Sequence, residues 1–142
     1  MMSLRSDDDY QPTLEDPPYG RLGGEEGVRA LAAAFYDAME ADEPALAALH
    51  ALDPSGKVNA ATRERFGLFL MGWLGGPQDY QQRHGHPRLR MRHAHLPVDG
   101  GMRDAWVRSM HRALDVQGVT GGLRRFLNLR FLDVADFLRN RE

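Results

Sequence analysis

Apolar side chains recur every three or four positions along four long stretches of this chain, which is the spacing of α-helices that bury one face. The stretches run from Val28 to Met39, from Thr62 to Trp73, from Met102 to Leu114 and from Leu123 to Leu138. Breaks rich in glycine or proline separate them, and no stretch of useful length alternates apolar and polar residues as a strand would. The sequence therefore predicts an all-α fold, although periodicity alone does not say how the helices pack.

Length and composition predict one folded domain preceded by a tail. The chain has 142 residues, enough to bury one substantial core. Residues 1–18 carry several aspartates and prolines but few apolar side chains, so we expect a flexible acidic N-terminal tail and a folded domain over residues 19–142. A partner-binding arm is the alternative interpretation of this tail.

Charge and residue usage narrow the range of partners. The net charge is −2 and the isoelectric point is near 6.3, which indicates no nucleic-acid partner. No segment is apolar over the length of a membrane span, so we expect a cytoplasmic protein without a membrane partner. The chain contains no cysteine, which excludes disulfides, iron–sulfur clusters and thiolate metal ligands.

The run Gly85–His93 reads Gly-His-Pro-Arg-Leu-Arg-Met-Arg-His and carries the most chemistry. Pro87 suits the first turn of a helix, and Pro97 prevents that helix from continuing far. Leu89 and His93 stand four apart on one face, and arginines flank them. Such a helix presents one imidazole among apolar groups and guanidinium charges. This combination suits an iron porphyrin, which takes an imidazole nitrogen at its metal and carries anionic propionates.

This run, with Trp73–Pro77 upstream and Arg103–Trp106 downstream, resembles the group II truncated haemoglobins of bacteria. The resemblance extends from about Tyr19 to the C-terminus. It implies a shortened globin fold in which two antiparallel helix pairs sandwich a haem b. The rival interpretation, a helical bundle with no cofactor, has the same helical periodicity.

The resemblance also implies roles for individual residues. His93 is the proximal ligand of a five-coordinate iron. On the opposite, distal side, the Tyr36 hydroxyl, next to Phe35, and the Trp106 indole N–H would donate hydrogen bonds to a bound ligand. Thr62 stands where oxygen-storage globins carry a distal histidine, and its small side chain would leave an entry path.

His50 departs from the commoner family pattern, in which a tyrosine or phenylalanine stands at this position. The alignment is loose by one residue here, so Leu49 is the competing candidate. We expect His50 to line the pocket and to bond to the ligand or to Tyr36, where it could donate a hydrogen bond or titrate near neutrality. Direct ligation of the iron in the ligand-free protein is the less favoured alternative.

Further residues are expected to contact the haem itself. Apolar walls are expected from Phe66, Phe69, Trp73 and Leu89, and partners for the propionates from Arg90 and Arg92.

A polar pocket with several donors favours slow ligand release. The sequence therefore favours binding of dioxygen or another diatomic molecule for ligand chemistry, sensing or detoxification of nitric oxide or peroxide, rather than bulk oxygen transport. Peroxidase-like or nitric oxide dioxygenase-like turnover would need an electron donor, hence a reductase partner. A haem-based sensor or partner-binding module that acts through the N-terminal tail is the alternative. Both a monomer and a homodimer are compatible with the sequence.

Overall fold

The computed structural model describes residues 10–86, 88, 93–94 and 96–140. Seven helices lie within this part of the chain. In order they are α1 (Pro18–Arg21), α2 (Gly24–Asp42), α3 (Pro44–Ala47), α4 (Ala60–Trp73), α5 (Asp79–His84), α6 (Gly100–Val116) and α7 (Gly121–Leu138). The described residues form no β-strand, only an isolated antiparallel bridge between Leu52 and Val58. The all-α prediction is confirmed.

The four stretches with helical periodicity lie within α2, α4, α6 and α7, and side-chain caps mark two of the beginnings. The Asn59 side chain accepts the Thr62 backbone N–H at 2.8 Å at the start of α4. Asp99 accepts the Met102 N–H at 2.8 Å at the start of α6. Such a cap satisfies one of the backbone donors that a helix beginning leaves without a partner. The longest helix, α2, ends just before Pro44, as predicted.

Two helix pairs enclose the core: α2 packs against α4, and α6 packs against α7, while α2 and α6 join the pairs. The apolar faces of α2, α6 and α7 are buried as predicted, whereas α4 buries Leu68, Leu70 and Met71 and leaves Phe66, Phe69 and Trp73 only partly buried. The largest fully buried side chains include Leu31, Phe35, Met39, Leu68, Leu70, Met71, Met110, Leu114, Leu127 and Phe131. Among the helices described, none is both long enough and apolar enough to cross a membrane.

The segment from Gln78 to His86 shows no helical periodicity in the sequence, yet the structure has a short helix there. It contains α5, whose Tyr80 is only 6% exposed. The Tyr80 ring meets the Phe69 ring edge-on at 6.0 Å. One buried tyrosine therefore anchors a six-residue helix, which is too short to show a periodic pattern.

The predicted tail over residues 1–18 also needs a correction, because its described part packs onto the domain. Tyr10 is only 4% exposed, and its ring contacts Phe126 of α7 edge-on at 6.3 Å. Its hydroxyl donates to the Asp16 carbonyl at 2.9 Å, and the Arg21 guanidinium lies 4.5 Å from the ring centre. The packed part of the described chain therefore includes Tyr10, and the first nine residues lie outside the described part.

Candidate functional site

A cavity of about 400 Å³ lies between the helix pairs. It is lined by Phe35, Tyr36, His50, Thr62, Arg65, Phe66, Phe69, Tyr80, His93, Trp106, Val134 and Leu138. Eight of the residues predicted from sequence therefore meet at one place, although they come from α2, the turn after α3, α4, α6 and the segment before α6. Those eight are Phe35, Tyr36, His50, Thr62, Phe66, Phe69, His93 and Trp106.

Phe35 organises the aromatic part of the cavity wall. Its ring centre lies 5.0 Å from that of Tyr36, 5.0 Å from that of Phe66 and 5.1 Å from that of Trp106. Aromatic rings at these distances attract one another beyond the effect of their buried area. Because Phe35 is 1% exposed, its contacts hold three side chains from three helices in a fixed arrangement.

Tyr36 presents a buried phenol to the cavity. Burial raises the pKa of its hydroxyl far above the ordinary value, so the group stays protonated and able to donate. The Arg63 guanidinium lies 5.4 Å from the ring centre and opposes part of this rise. Arg63 is held by ion pairs to Glu40 at 2.7 Å and to Asp37 at 3.2 Å. Tyr36 is thus backed by a charge that makes its hydroxyl a stronger donor.

His50 is one of two imidazoles at the cavity, and its hydrogen-bond partner defines its tautomer. Its Nδ1 lies 3.1 Å from the Leu46 carbonyl oxygen. Because a carbonyl oxygen only accepts, Nδ1 carries the hydrogen, and in the neutral ring Nε2 is left as an acceptor. The His50 ring lies 5.7 Å from the Tyr36 ring, edge-on. This tautomer favours acceptance of the Tyr36 hydroxyl hydrogen by His50 over donation from a neutral His50.

The same environment corrects the expected titration of His50 near neutrality. Burial lowers its pKa below the ordinary histidine value, and the Leu46 carbonyl offsets this only in part. Of the two competing candidates, His50 lines the main cavity. Leu49 lines only an adjoining cavity of about 50 Å³.

His93 reaches the same cavity from the segment that precedes α6. His93 is helical, as predicted, and half-buried. Most of the predicted helix around it lies outside the described residues. Its backbone carbonyl accepts the Leu96 N–H at 3.0 Å and the Asn140 side-chain amide at 3.1 Å. The peptide of His93 is therefore fixed from two sides.

The sequence interpretation missed four lining residues as members of the site. Arg65 stands three positions after Thr62 and four before Phe69, so the helical spacing on α4 could have identified it. No sequence pattern pointed to Tyr80, because the six-residue helix α5 is too short to show helical periodicity. Val134 and Leu138 lie on α7, in the apolar stretch that the sequence analysis treated only as a helix.

Four predicted contact residues are not placed at the cavity. Trp73 does not line it. Its ring packs against Phe69 at 6.4 Å and against Phe131 at 5.1 Å, so it is one contact removed. The predicted contacts of Leu89, Arg90 and Arg92 lie outside the described residues.

The lining fits a flat, mainly apolar group that carries a nitrogen-binding metal and an anionic edge. Phe66, Phe69 and Tyr80 supply apolar surface, and the exposed Arg65 supplies a fixed positive charge. His93 supplies an imidazole nitrogen. The Tyr36 hydroxyl and the Trp106 indole supply hydrogen-bond donors in the same space. These are the groups that a haem and a polar ligand on its metal require.

Known proteins are similar to this chain in sequence and in fold. The family model for bacterial-like globins matches residues 18–137. The group 2 truncated haemoglobin YjbI of Bacillus subtilis is 37% identical over 110 residues, which is 78% of each chain. A cold-adapted truncated haemoglobin from Pseudoalteromonas haloplanktis superimposes with a TM-score of 0.80 at 39% identity, covering 89% of this chain and 99% of that one. A truncated oxygen-avid haemoglobin from Bacillus subtilis superimposes with a TM-score of 0.77 at 35% identity, covering 87% and 99%.

Proposed function

Because this chain belongs to the bacterial-like globin family, as a group II truncated haemoglobin, we propose that its cavity holds a haem b and a small ligand in a polar distal pocket. Family membership supports a haem cofactor and the binding of oxygen or another diatomic ligand. The observation that carries the finer proposal is the convergence of His93, Tyr36, His50 and Trp106 on one cavity. When bound, haem supplies an iron that takes diatomic gases.

Four residues would hold the haem. His93 would supply the imidazole nitrogen to the iron, and Arg65 would pair with a propionate. Phe66 and Phe69 would pack against the faces and edges of the macrocycle. This division follows from the chemistry of the lining, since Arg65 is the exposed cation and the two phenylalanines are in ring contact at 6.3 Å.

The distal residues would act on the ligand through hydrogen bonds. Tyr36 has one hydroxyl hydrogen, and both His50 and a ligand can accept it. We expect it to bond to His50 in the ligand-free protein and to turn to a partly negative ligand oxygen. The Trp106 N–H can only donate, so it would give a second hydrogen bond. His50 would then position Tyr36 without contributing a donor of its own.

Such a pocket favours slow release over rapid exchange. Each hydrogen bond to a partly charged acceptor contributes roughly 1.5–3 kcal/mol, or a factor of about ten or more in the dissociation rate. We therefore propose ligand chemistry, sensing or detoxification of nitric oxide or peroxide as the role. Catalytic turnover in either detoxification would draw electrons from a reductase.

The test starts with the purified full chain reconstituted with haem. We expect a Soret band at one haem per chain, and slow oxygen dissociation from the reduced protein when followed by stopped-flow mixing with carbon monoxide. Nitric oxide consumption by the oxygenated protein, followed with an electrode, separates detoxification from storage. A protein that takes up no haem would overturn the proposal, and rapid oxygen release would overturn its distal part.

A further inference from the structure

The side chain and backbone of Asn140, just beyond the end of α7, bind the backbone that carries His93. The Asn140 side-chain amide donates to the His93 carbonyl at 3.1 Å and to the Leu96 carbonyl at 2.9 Å. Its side-chain oxygen accepts the Val98 N–H at 2.9 Å, and its own backbone N–H donates to the Val98 carbonyl at 2.8 Å. Asn140 therefore makes four hydrogen bonds to three residues of the segment between His93 and α6.

This arrangement requires an amide at position 140. Two side-chain donations and one acceptance come from the same planar group, a combination that only asparagine and glutamine side chains offer. The segment is fixed at its other end as well, because Asp99 caps α6 through the Met102 N–H at 2.8 Å. Between these two attachments the chain has little freedom to shift the peptide of His93.

Helix α7 also carries part of the cavity wall. Val134 and Leu138 line the cavity, and Phe131 contacts the Trp106 ring at 5.9 Å. Asn140 follows this helix by two residues. The chain that forms part of the cavity wall is therefore connected directly to the residue that bonds to the His93 backbone.

We propose that Asn140 is a positioning residue for His93: its amide fixes the His93 peptide and so the direction in which the imidazole enters the cavity. The inference rests on the proposed role of His93 as the iron ligand. Hydrogen bonds behind a metal ligand generally orient that ligand and so tune its bond to the metal. The orientation of the His93 imidazole would likewise set the strength of its bond to iron. Asn140 would thereby tune both haem retention and ligand affinity without contacting either.

The test compares Asn140→Asp with Asn128→Ala. Aspartate keeps the side-chain acceptor for Val98 and the backbone bond, but it loses both donations. Asn128 is a matched control, since it lies on α7, is half-buried, and accepts only the Arg124 side chain at 2.9 Å in the described contacts. We measure the iron–histidine stretching frequency of the reduced protein by resonance Raman spectroscopy and the rate of haem transfer to apomyoglobin.

We expect Asn140→Asp to shift the stretching frequency and to lose haem about tenfold faster, since two net hydrogen bonds are removed. Asn128→Ala should change neither. Amide exchange of Val98 in the haem-free Asn140→Asp protein should stay near the wild-type rate, which shows that the segment is still folded. Asn140→Gln should lie between Asn140→Asp and the wild type in both the stretching frequency and the rate of haem loss, because it restores the donors on a longer side chain.

An unchanged stretching frequency in Asn140→Asp overturns the inference, even if haem is lost faster, because a purely structural contact would produce that pattern. An equal shift in Asn128→Ala overturns it too. Failure of the proposed function looks different, since the wild-type chain itself would then take up no haem.

Discussion

The aromatic wall of the cavity and the segment that carries His93 are held in place by different means. The wall is built from long helices, and buried rings such as Phe35 fix it through apolar contacts. The His93 segment lies between helices and depends on hydrogen bonds from Asn140 and on the cap at Asp99. Losses in packing scale with the apolar volume removed, whereas a side-chain amide either makes its hydrogen bonds or loses them. The wall should therefore respond to the removal of large rings, and the segment that carries His93, the proposed iron ligand, should respond to single polar changes.

Phe35→Ala removes the ring that contacts Tyr36, Phe66 and Trp106 in the cavity wall, and should have the largest effect on stability. Removing a fully buried phenylalanine leaves a cavity, so we expect the free energy of unfolding to fall by roughly 3–5 kcal/mol. Urea unfolding followed by circular dichroism measures it. Phe137→Ala is the matched control, since its side chain is half-exposed and lies on α7. Equal losses in the two variants would contradict the central place of Phe35.

Tyr36→Phe keeps the wall and removes one donor. We expect oxygen to dissociate about tenfold faster, because a hydrogen bond to a partly charged acceptor is lost. Trp106→Phe should act in the same direction. Tyr19→Phe, outside the cavity lining, is the control. Rates within twofold of the wild type for both cavity variants would leave Tyr36 and Trp106 as packing residues.

Arg63→Met removes the charge next to Tyr36 and leaves the cavity lining unchanged, because Arg63 does not line the cavity. The guanidinium 5.4 Å from the Tyr36 ring makes the hydroxyl a stronger donor. Without this charge the Tyr36 hydroxyl becomes a weaker donor, so oxygen should dissociate faster than from the wild type, but less so than in Tyr36→Phe, which loses the donor entirely. Arg63→Lys keeps the charge and should stay closer to the wild type. If Arg63→Lys is as fast as Arg63→Met, the charge is not what matters.

His50 gives the smallest effect, one that depends on pH. Burial lowers the pKa of His50 in the folded protein, while the unfolded chain keeps a value near 6.5. Above that pH both states are neutral and the contribution is complete. As the pH falls below it, the unfolded state takes up the proton first, so stability declines. Compared with His50→Phe, the wild type should lose more stability between pH 7 and pH 5, as unfolding titrations at each pH will measure. Parallel pH curves would place His50 in a more exposed setting.

The sequence predicted what repeated patterns and the family resemblance encode. The four long helices were identified because each shows an apolar face over several turns. Eight cavity residues were identified because the motifs around Tyr36, Trp106 and His93 are those of a known family. The tautomer of His50, which leaves Nε2 as an acceptor, could not be predicted from the sequence, since it depends on the contact of Nδ1 with the Leu46 carbonyl.

The features that the sequence did not predict depend on single contacts between distant residues. Tyr10 is one apolar side chain in a polar segment, yet it packs on Phe126. Tyr80 anchors a helix that is too short to show a period. Asn140 bonds to the backbone of His93, 47 positions earlier, and no local pattern can report such a bond. Arg65 is different, because its spacing from Thr62 and Phe69 was visible.

A haem titration of the wild type and of His93→Gly tests directly whether His93 binds the iron, with His111→Gly as the control outside the cavity. Haem content and the reduced spectrum are recorded after gel filtration, with and without free imidazole. We expect the wild type and the control to retain one haem per chain, and His93→Gly to retain none unless imidazole is supplied to replace the missing side chain. Full haem content and an unchanged reduced spectrum in His93→Gly without imidazole would show that His93 is not the iron ligand.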